Sequence, residues 1–377
     1  MTHDKYQLVN LTLKEEVRQC HENNYTAWGK GLDLDDYLAR EQNFASLPAT
    51  QDGNLTYWAL KEKQDDGSWK IMCSMETLRR PALLKVKGKP VEETVCFGIG
   101  SVFTPPQNRG KGYAKIMLDQ CSKRLDDWQM DGMSESEKAK TSSVLWSDVN
   151  DYYKQFDYEL VDVRELQFSL KGLEGAPEWP SEVEPITTQD QITKVSGRDE
   201  AQMRLALDRD TEKDGISRMA IVPNAVAHST TFGRAKFLGP LLSKVEPKQA
   251  PSVFGAIHNE CFMLWTQDFA GGKHTAIRVF APLSLDKHQV LESCHLLIRA
   301  ALAEAAKWKF EKFSVWIQDL PEQVTIDEVL EHYNKNPVNG VSAQIYSRPD
   351  SWGMVRWHRG AHPGGIEWAY AGKYGWF

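Results

Sequence analysis

The most constraining feature of this sequence is a glycine-containing turn between a predicted strand and a predicted helix. Upstream, residues 95–103 (VCFGIGSVF) are apolar and β-branched, as in a mostly buried strand, and prolines follow closely. Downstream, apolar residues recur at helical spacing over residues 114–128. The turn itself, residues 107–114 (QNRGKGYA), therefore lies where a strand leads into a helix N-terminus. Unpaired N–H groups and the helix dipole favour an anion at such a position.

The residues of this turn suit a pyrophosphate. Gly110 and Gly112 allow close approach of the backbone because they carry no Cβ, and Arg109 and Lys111 add positive charge. An ordinary loop and helix cap is the alternative, because glycine turns before helices are common. The spacing Q-x-x-G-x-G lacks the Lys-Ser/Thr of a P-loop and differs from the GxGxxG of dinucleotide folds. It resembles the Gln/Arg-x-x-Gly-x-Gly/Ala loop of the GNAT N-acetyltransferases, which binds the pyrophosphate of acetyl-coenzyme A.

Length and composition restrict the class of protein. The chain has 377 residues, enough for two domains, and its net charge of −7 argues against nucleic-acid binding by bulk electrostatics. The first residues lack the apolar core of a signal peptide, and no run of about 18 uncharged apolar residues occurs. The six cysteines are dispersed without a CxxC pair. We therefore expect a cytoplasmic protein with reduced core cysteines, no membrane or nucleic-acid partner, no disulfide and no metal.

The predicted elements form two groups joined by a linker. Those of residues 1–170 follow the order β-α-α-β-β-β-α-β-α-β, which is the order of the GNAT fold. Residues 171–190 are rich in proline, glycine and acidic residues, as in a linker. Residues 191–377 repeat a strand–strand–helix–strand–helix order, but their joint at 281–288 has no Q-x-x-G-x-G. We expect an α+β (mixed α/β) protein: a GNAT acetyltransferase domain, then a degenerate GNAT-like domain whose aromatic tail completes the active site.

Acetyl transfer to an amine imposes chemical requirements on the site. A lysine ε-amine has a reference pKa near 10.4, so deprotonating it at pH 7 costs about 4.6 kcal/mol. The enzyme therefore needs a base, used directly or through water, or a desolvating pocket. It also needs hydrogen-bond donors for the developing oxyanion and an acid for the leaving thiolate.

The GNAT resemblance implies which residues meet these needs. The segment 153–158 (YKQFDY) resembles the Tyr-x-x-x-Gly-Phe of the family, whose tyrosine hydroxyl faces the coenzyme sulfur. Tyr153 is thus the predicted acid, with a packing residue as the alternative. Asp157 replaces the glycine and tolerates the left-handed conformation. The residues predicted to hold coenzyme A, by backbone N–H groups or by the turn, are Val102, Phe103, Gln107, Asn108, Arg109, Gly110, Lys111, Gly112, Tyr113 and Ala114.

Two candidates for the base remain open. Glu76 sits late on a strand expected to neighbour the strand that binds acetyl-coenzyme A, although it can instead be a surface carboxylate paired with Arg79 or Arg80. The other is the terminal carboxylate of Phe377, because in some multidomain relatives that group reaches the active site. The aromatic end KYGWF is typical of a docked tail.

Longer segments resemble one branch of the superfamily, the fungal lysine N6-acetyltransferases of lysine degradation. These segments are TYW around Trp58, ETLRR at 76–80, GIGSVFTPPQNRGKGYA, SVLWSDV and KYGWF. The resemblance implies acetyl transfer from acetyl-coenzyme A to free L-lysine, giving N6-acetyl-L-lysine. Asp33 and Asp148 are predicted to meet the amine and Arg79 the carboxylate, with Arg80 and Arg356 as further arginine candidates.

Two other functions fit the same sequence. The first is acetylation of protein or peptide amines, or of polyamines. The second is a coenzyme-A-binding sensor or scaffold without turnover. Oligomeric state is not indicated by the sequence.

Overall fold

Two β-sheets with helices packed against them make up the fold. The computed structural model describes residues 5–173, 175–338, 340–359 and 366–376. The strands are β1 (Tyr6–Asn10), β2 (Leu55–Lys63), β3 (Trp69–Lys85), β4 (Glu92–Phe103), β5 (Ser142–Ser147), β6 (Glu159–Leu160), β7 (Arg164–Ser169), β8 (Glu184–Ile186), β9 (Ser217–Ile221), β10 (Gly255–His258), β11 (Cys261–Asp268), β12 (Lys273–Phe280), β13 (Lys312–Trp316), β14 (Ser342–Ser347), β15 (Trp352–Trp357) and β16 (Ile366–Trp368). The helices are α1 (Lys14–Trp28), α2 (Leu34–Ala45), α3 (Tyr113–Leu125), α4 (Glu135–Lys138), α5 (Gln189–Asp214), α6 (Ala225–Leu242), α7 (Lys287–Lys307) and α8 (Ile326–Lys335).

The first sheet carries the glycine turn. Its strands run in the order β1-β2-β3-β4-β5-β15-β6, and β9 and β16 extend it beside the end of β3. Helix α3 packs on this sheet because Met117, Leu118 and Cys121 lie on one buried face, as the helical spacing predicts. The turn is thereby fixed between β4 and a helix anchored in the core.

The second sheet has the order β14-β7-β13-β12-β11-β10-β8 and is covered by α7. A capping box sets the start of α7: the Asp286 side chain accepts the Gln289 N–H at 2.9 Å, and the Gln289 side chain accepts the Asp286 N–H at 3.0 Å. The helix then buries Val290, Leu297 and Ala301 completely. The sequence pattern predicts strands at residues 252–259, 260–268, 274–282, 312–318 and about 343–348, and helices at 287–310 and 325–334. The structure confirms each of them to within a few residues.

Strands are exchanged between the two halves of the chain. β7, which lies before residue 170, pairs with β13 and β14 of the second sheet. Conversely, β15 lies between β5 and β6 in the first sheet, and β9 pairs with β3. The expected boundary at residue 170 therefore does not separate the two sheets.

The sequence prediction was wrong over residues 79–93. Residues 79–93 are rich in lysine, and their sequence predicts an irregular segment before the next strand, but β3 continues to Lys85 and β4 begins at Glu92. The end of β3 is held by β9, with Ala82 opposite Ile221 and Lys85 opposite Arg218. A partner so distant in sequence leaves no local pattern.

The burial of the cysteines and the length of the helices are two further features of the fold. All six cysteines are buried and free, which confirms that they are core residues. In the part of the chain that the structure describes, we find no helix with the length and apolarity needed to cross a bilayer.

Candidate active site

The site begins where β4 separates from β5. The parallel pairing of these strands ends at Ile99 opposite Leu145. On its other side β4 is bulged: Ser74 pairs with Phe103 and Glu76 with Gly100, so that one residue of β3 faces two of β4. Ser101, in the bulge, has a φ of 51°. Backbone N–H and C=O groups at the end of β4 are consequently left without partners from β5 and can bind a ligand.

The glycine turn lies directly after this gap. Gly110 and Gly112 have φ values of 75° and 79°, in the left-handed region that favours glycine. Gly112 is the N-cap of α3, and no atom lies within 4 Å of a Cβ built on either glycine. The first N–H groups of α3, including those of Tyr113 and Ala114, thus have no intrahelical partner and open onto free space.

The side chains of the turn divide into two groups. Gln107, Arg109 and Lys111 are exposed. Asn108 is buried and donates to the Met72 carbonyl at 2.9 Å, and the Tyr113 hydroxyl donates to Glu62 at 3.2 Å. These two side chains hold the turn against the sheet, so Asn108 and Tyr113 can contact a ligand only through their backbone.

A pocket lies beside the gap, and we call it the acyl-transfer pocket. It encloses about 1190 Å³ of space between atoms, part of it open to solvent. Both halves of the chain contribute walls, among them Glu41, Glu76, Val102, Tyr153, Arg234 and Trp376. A predicted base and a predicted acid thus share one pocket.

Glu76 is buried and surrounded by polar groups. The residue is 5% exposed, and Oε2 accepts a hydrogen bond from Ser101 Oγ at 3.1 Å. Nε2 of His21, on α1, lies 3.6 Å from Glu76 Oε1. Burial acts to lower the pKa of His21, but the neighbouring Glu76 outweighs it and raises that pKa above its ordinary value. Glu76 is therefore not the surface carboxylate of the alternative interpretation.

A second carboxylate lies close to this pair. The ligand atoms of His21, Glu41 and Glu76 all lie within 4.8 Å of one another. Glu41 also pairs with Arg40, whose Nε donates to it at 2.9 Å. Two carboxylates and an imidazole can accept an ammonium group or a divalent cation, so the expectation of a metal-free protein stays a prediction.

Tyr153 has the properties of a neutral donor. It lies in a 3₁₀ helix, Asn150–Phe156, and is 8% exposed. Burial raises the pKa of Tyr153 well above its ordinary value, so the phenol stays protonated at neutral pH. Among the described side chains and backbone groups its hydroxyl has no hydrogen-bond partner. Asp157, which ends this helix, has a φ of 64°, as its replacement of a family glycine implies.

The other predicted site residues occupy different places. Asp148 lines the acyl-transfer pocket and accepts the Ser351 N–H at 3.1 Å. Asp33 is exposed and lies outside the pocket. It caps α2, because its side chain accepts the Asp36 N–H at 2.8 Å. Arg79 also lies outside the pocket. Phe377 falls outside the described residues, although Trp376 before it lines the pocket.

The sequence analysis missed His21, Glu41 and Arg234. The first two lie on α1 and α2, where only the fold shows which helix face approaches Glu76. Arg234 comes from α6 in the second half, which packs against α2. Its guanidinium carbon lies 5.1 Å from the ring centre of Phe44 and 5.2 Å from that of Trp376.

Comparison with known proteins gives three findings. A family model described as the LYC1 GNAT-like C-terminal domain matches residues 167–377. A lysine acetyltransferase of Yarrowia lipolytica is 29% identical over 291 residues, which are 68% of this chain and 71% of that protein. The crystal structure of a GCN5-related N-acetyltransferase from Anabaena variabilis has a TM-score of 0.51 at 10% identity, covering 94% of this chain and 73% of that one, and confirms the predicted fold class.

Proposed function

Because this chain belongs to the LYC1-like GNAT family and is an N-acetyltransferase, we propose that it transfers the acetyl group of acetyl-coenzyme A to the ε-amine of free L-lysine. The product is N6-acetyl-L-lysine, as a step of lysine degradation. The observation that carries the proposal is the meeting of Glu76, Tyr153 and the unpaired end of β4 in one pocket.

The first requirement, a neutral amine, falls to Glu76. An ammonium group bound between Glu76 and Glu41 has its charge compensated there, and Glu76 takes the proton. His21 lies against the same carboxylate and positions it, together with Ser101. The terminal carboxylate of Phe377 is the second candidate for this role, and the position of Trp376 in the pocket wall supports it.

The second requirement, a fixed acyl donor, falls to the gap and the turn. The residues present fit acetyl-coenzyme A: free N–H groups at the start of α3 and exposed Arg109 and Lys111 suit its pyrophosphate. The backbone of Val102 and Phe103, which lies beyond the last pair with β5, suits the amide-bearing arm, and N–H groups there can stabilise the developing oxyanion. When bound, the thioester supplies the activated acetyl group.

The third requirement, stabilisation of the leaving sulfur, falls to Tyr153. The raised pKa of Tyr153 lies above the thiol reference value near 8.5, so a full proton transfer from it to the thiolate is uphill. A hydrogen bond from the phenol to the sulfur carries no such cost. Tyr153 therefore acts as a donor to the departing thiolate.

The experiment is a thiol-release assay with acetyl-coenzyme A and one amine at a time: L-lysine, L-ornithine, a polyamine or a lysine-containing peptide. The proposal expects release with L-lysine and a product acetylated at the ε-nitrogen by mass spectrometry. Release with peptides or polyamines alone supports the other acetyltransferase functions. Binding of acetyl-coenzyme A without release for any amine supports the sensor or scaffold.

A further inference from the structure

Arg234 is a cation in the acyl-transfer pocket whose role is not explained by the transfer chemistry. It projects from α6, lies between the rings of Phe44 and Trp376, and also lines a second cavity next to the pocket, in which Asp268 lies. The two aromatic contacts restrict its planar guanidinium. Its N–H groups are thus held at the junction of two cavities.

Among the residues that the structure describes, this arginine has no direct counter-charge. Within the described residues no carboxylate oxygen lies within 4.0 Å of its guanidinium nitrogens. Burial and the nearby Arg40 lower the pKa of Arg234, and the charges of Glu41, Asp268 and Glu76 act against that shift from a distance. A desolvated guanidinium in this state gains strongly from an anionic ligand, above all a carboxylate that accepts two parallel hydrogen bonds.

The wall of the pocket therefore carries groups of both charges. Glu76 and Glu41 suit an ammonium group, and Arg234 suits a carboxylate. A free amino acid with an amine at the end of its side chain carries both groups. A lysine within a protein has no free carboxylate, and a polyamine has none at all.

We propose that Arg234 binds the α-carboxylate of a free diamino acid whose side-chain amine lies at Glu76. This inference rests on the proposed function and extends it, because it makes the second half of the chain the selector of the substrate. Arg234 is then the residue that distinguishes free L-lysine from peptides and polyamines.

The test compares three amines that share the 1,5-diaminopentane skeleton: L-lysine, L-lysinamide, in which the carboxylate is an amide, and cadaverine, which lacks the carboxylate. For the wild type, kcat/KM should be at least tenfold lower with lysinamide and with cadaverine than with lysine. Arg234→Gln should lower kcat/KM for lysine tenfold to a hundredfold, mainly through KM, and change that for cadaverine less than threefold. The kcat/KM of Arg234→Lys for lysine should lie between those of the wild type and Arg234→Gln, since lysine keeps the charge but cannot donate two parallel hydrogen bonds to a carboxylate.

The matched control is Arg198→Gln, which removes an arginine of α5 whose guanidinium carbon lies 5.4 Å from the ring centre of Phe280, outside the pocket. This control variant should leave kcat/KM unchanged for all three amines. Equal losses with lysine and cadaverine in Arg234→Gln overturn the inference, because Arg234 then serves the fold or the tail. Should that variant not fold, a wild type that uses lysinamide as well as lysine overturns it equally. A wild type that acetylates none of the three amines instead refutes the proposed function itself, and the inference with it.

Discussion

Replacing Glu76 by glutamine tests the base directly, because the amide keeps the shape and an oxygen that can accept the Ser101 hydrogen bond. The substitution removes the negative charge of Glu76 and with it the ability to take a proton. A positioned general base contributes about 10²–10⁴-fold to a rate. We therefore expect kcat/KM for L-lysine at pH 7 to fall by that factor in Glu76→Gln. In free energy this is about 2.7–5.4 kcal/mol, the same range as the roughly 4.6 kcal/mol needed to deprotonate the amine.

The dependence on pH separates a base from a merely structural carboxylate. Without Glu76 the enzyme must capture the small neutral fraction of lysine, which rises about tenfold per pH unit below the amine pKa near 10.4. The log of kcat/KM for Glu76→Gln should thus rise with a slope of about 1 between pH 7 and 10. The log of kcat/KM for the wild type should be nearly constant over this range. The ratio of kcat/KM between the wild type and Glu76→Gln should therefore shrink by up to about 10³-fold from pH 7 to pH 10.

The assay is thiol release under subsaturating lysine at constant ionic strength. Glu304→Gln is the matched control, because Glu304 lies on α7 outside the pocket, is 3% exposed, accepts a hydrogen bond from Trp308 at 2.6 Å and pairs with Lys307 at 3.6 Å. It should match the wild type in rate and pH profile. The reasoning is refuted if Glu76→Gln stays within threefold of the wild type, or if its loss does not shrink as the pH rises.

Four further outcomes follow from the structure. Tyr153→Phe should lower kcat about 10²-fold with little change in KM for acetyl-coenzyme A, whereas Tyr152→Phe should leave kcat unchanged. Equal effects of the two substitutions on kcat would refute Tyr153 as the donor to the thiolate. Deleting Trp376 and Phe377 should nearly abolish turnover and leave the urea unfolding curve in place, and unchanged turnover rules out the terminal carboxylate as base. Asp199→Asn should lower the free energy of unfolding in urea by about 3–5 kcal/mol, because buried Arg278 donates two hydrogen bonds of 2.7 Å to Asp199 and loses its charged partner. The double variant Asp199→Leu with Arg278→Met should recover most of that loss. Burial lowers the pKa of His274 to about 3, whereas the pKa in the unfolded chain is near 6.5. The unfolded state therefore binds one more proton between these two pH values, and the free energy of unfolding falls as the pH falls from 6.5 towards 3. His274→Phe should reduce the slope of the free energy of unfolding against pH by up to about 1.4 kcal/mol per pH unit in that window.

The parts of the fold that depend on local pattern could be predicted. The helix after the glycine turn follows from apolar residues at helical spacing, and the start of α7 follows from its capping residues. The left-handed Asp157 also followed from a local motif. In each case the determining interactions lie within a few residues of sequence.

The parts of the fold that depend on pairing between distant segments could not be predicted from the sequence. Nothing near Ala82 indicates that Ile221 will extend its strand, and nothing in the sequence of β15 indicates insertion between β5 and β6. The site shows the same division. Glu76 and Tyr153 were found by strand position and motif, whereas His21, Glu41 and Arg234 converge only when helices from both halves pack together.

The exchange of strands has a consequence for how the nascent chain matures. The turn and the predicted acid are made early, but β5 and β6 lack the strand between them until residues 352–357 have left the ribosome. Until then the sheet presents open edges that can pair with another chain. The first sheet is therefore completed only after residues 352–357 have been made, and a circular permutation or a split of this chain must keep β15 with the sheet it completes.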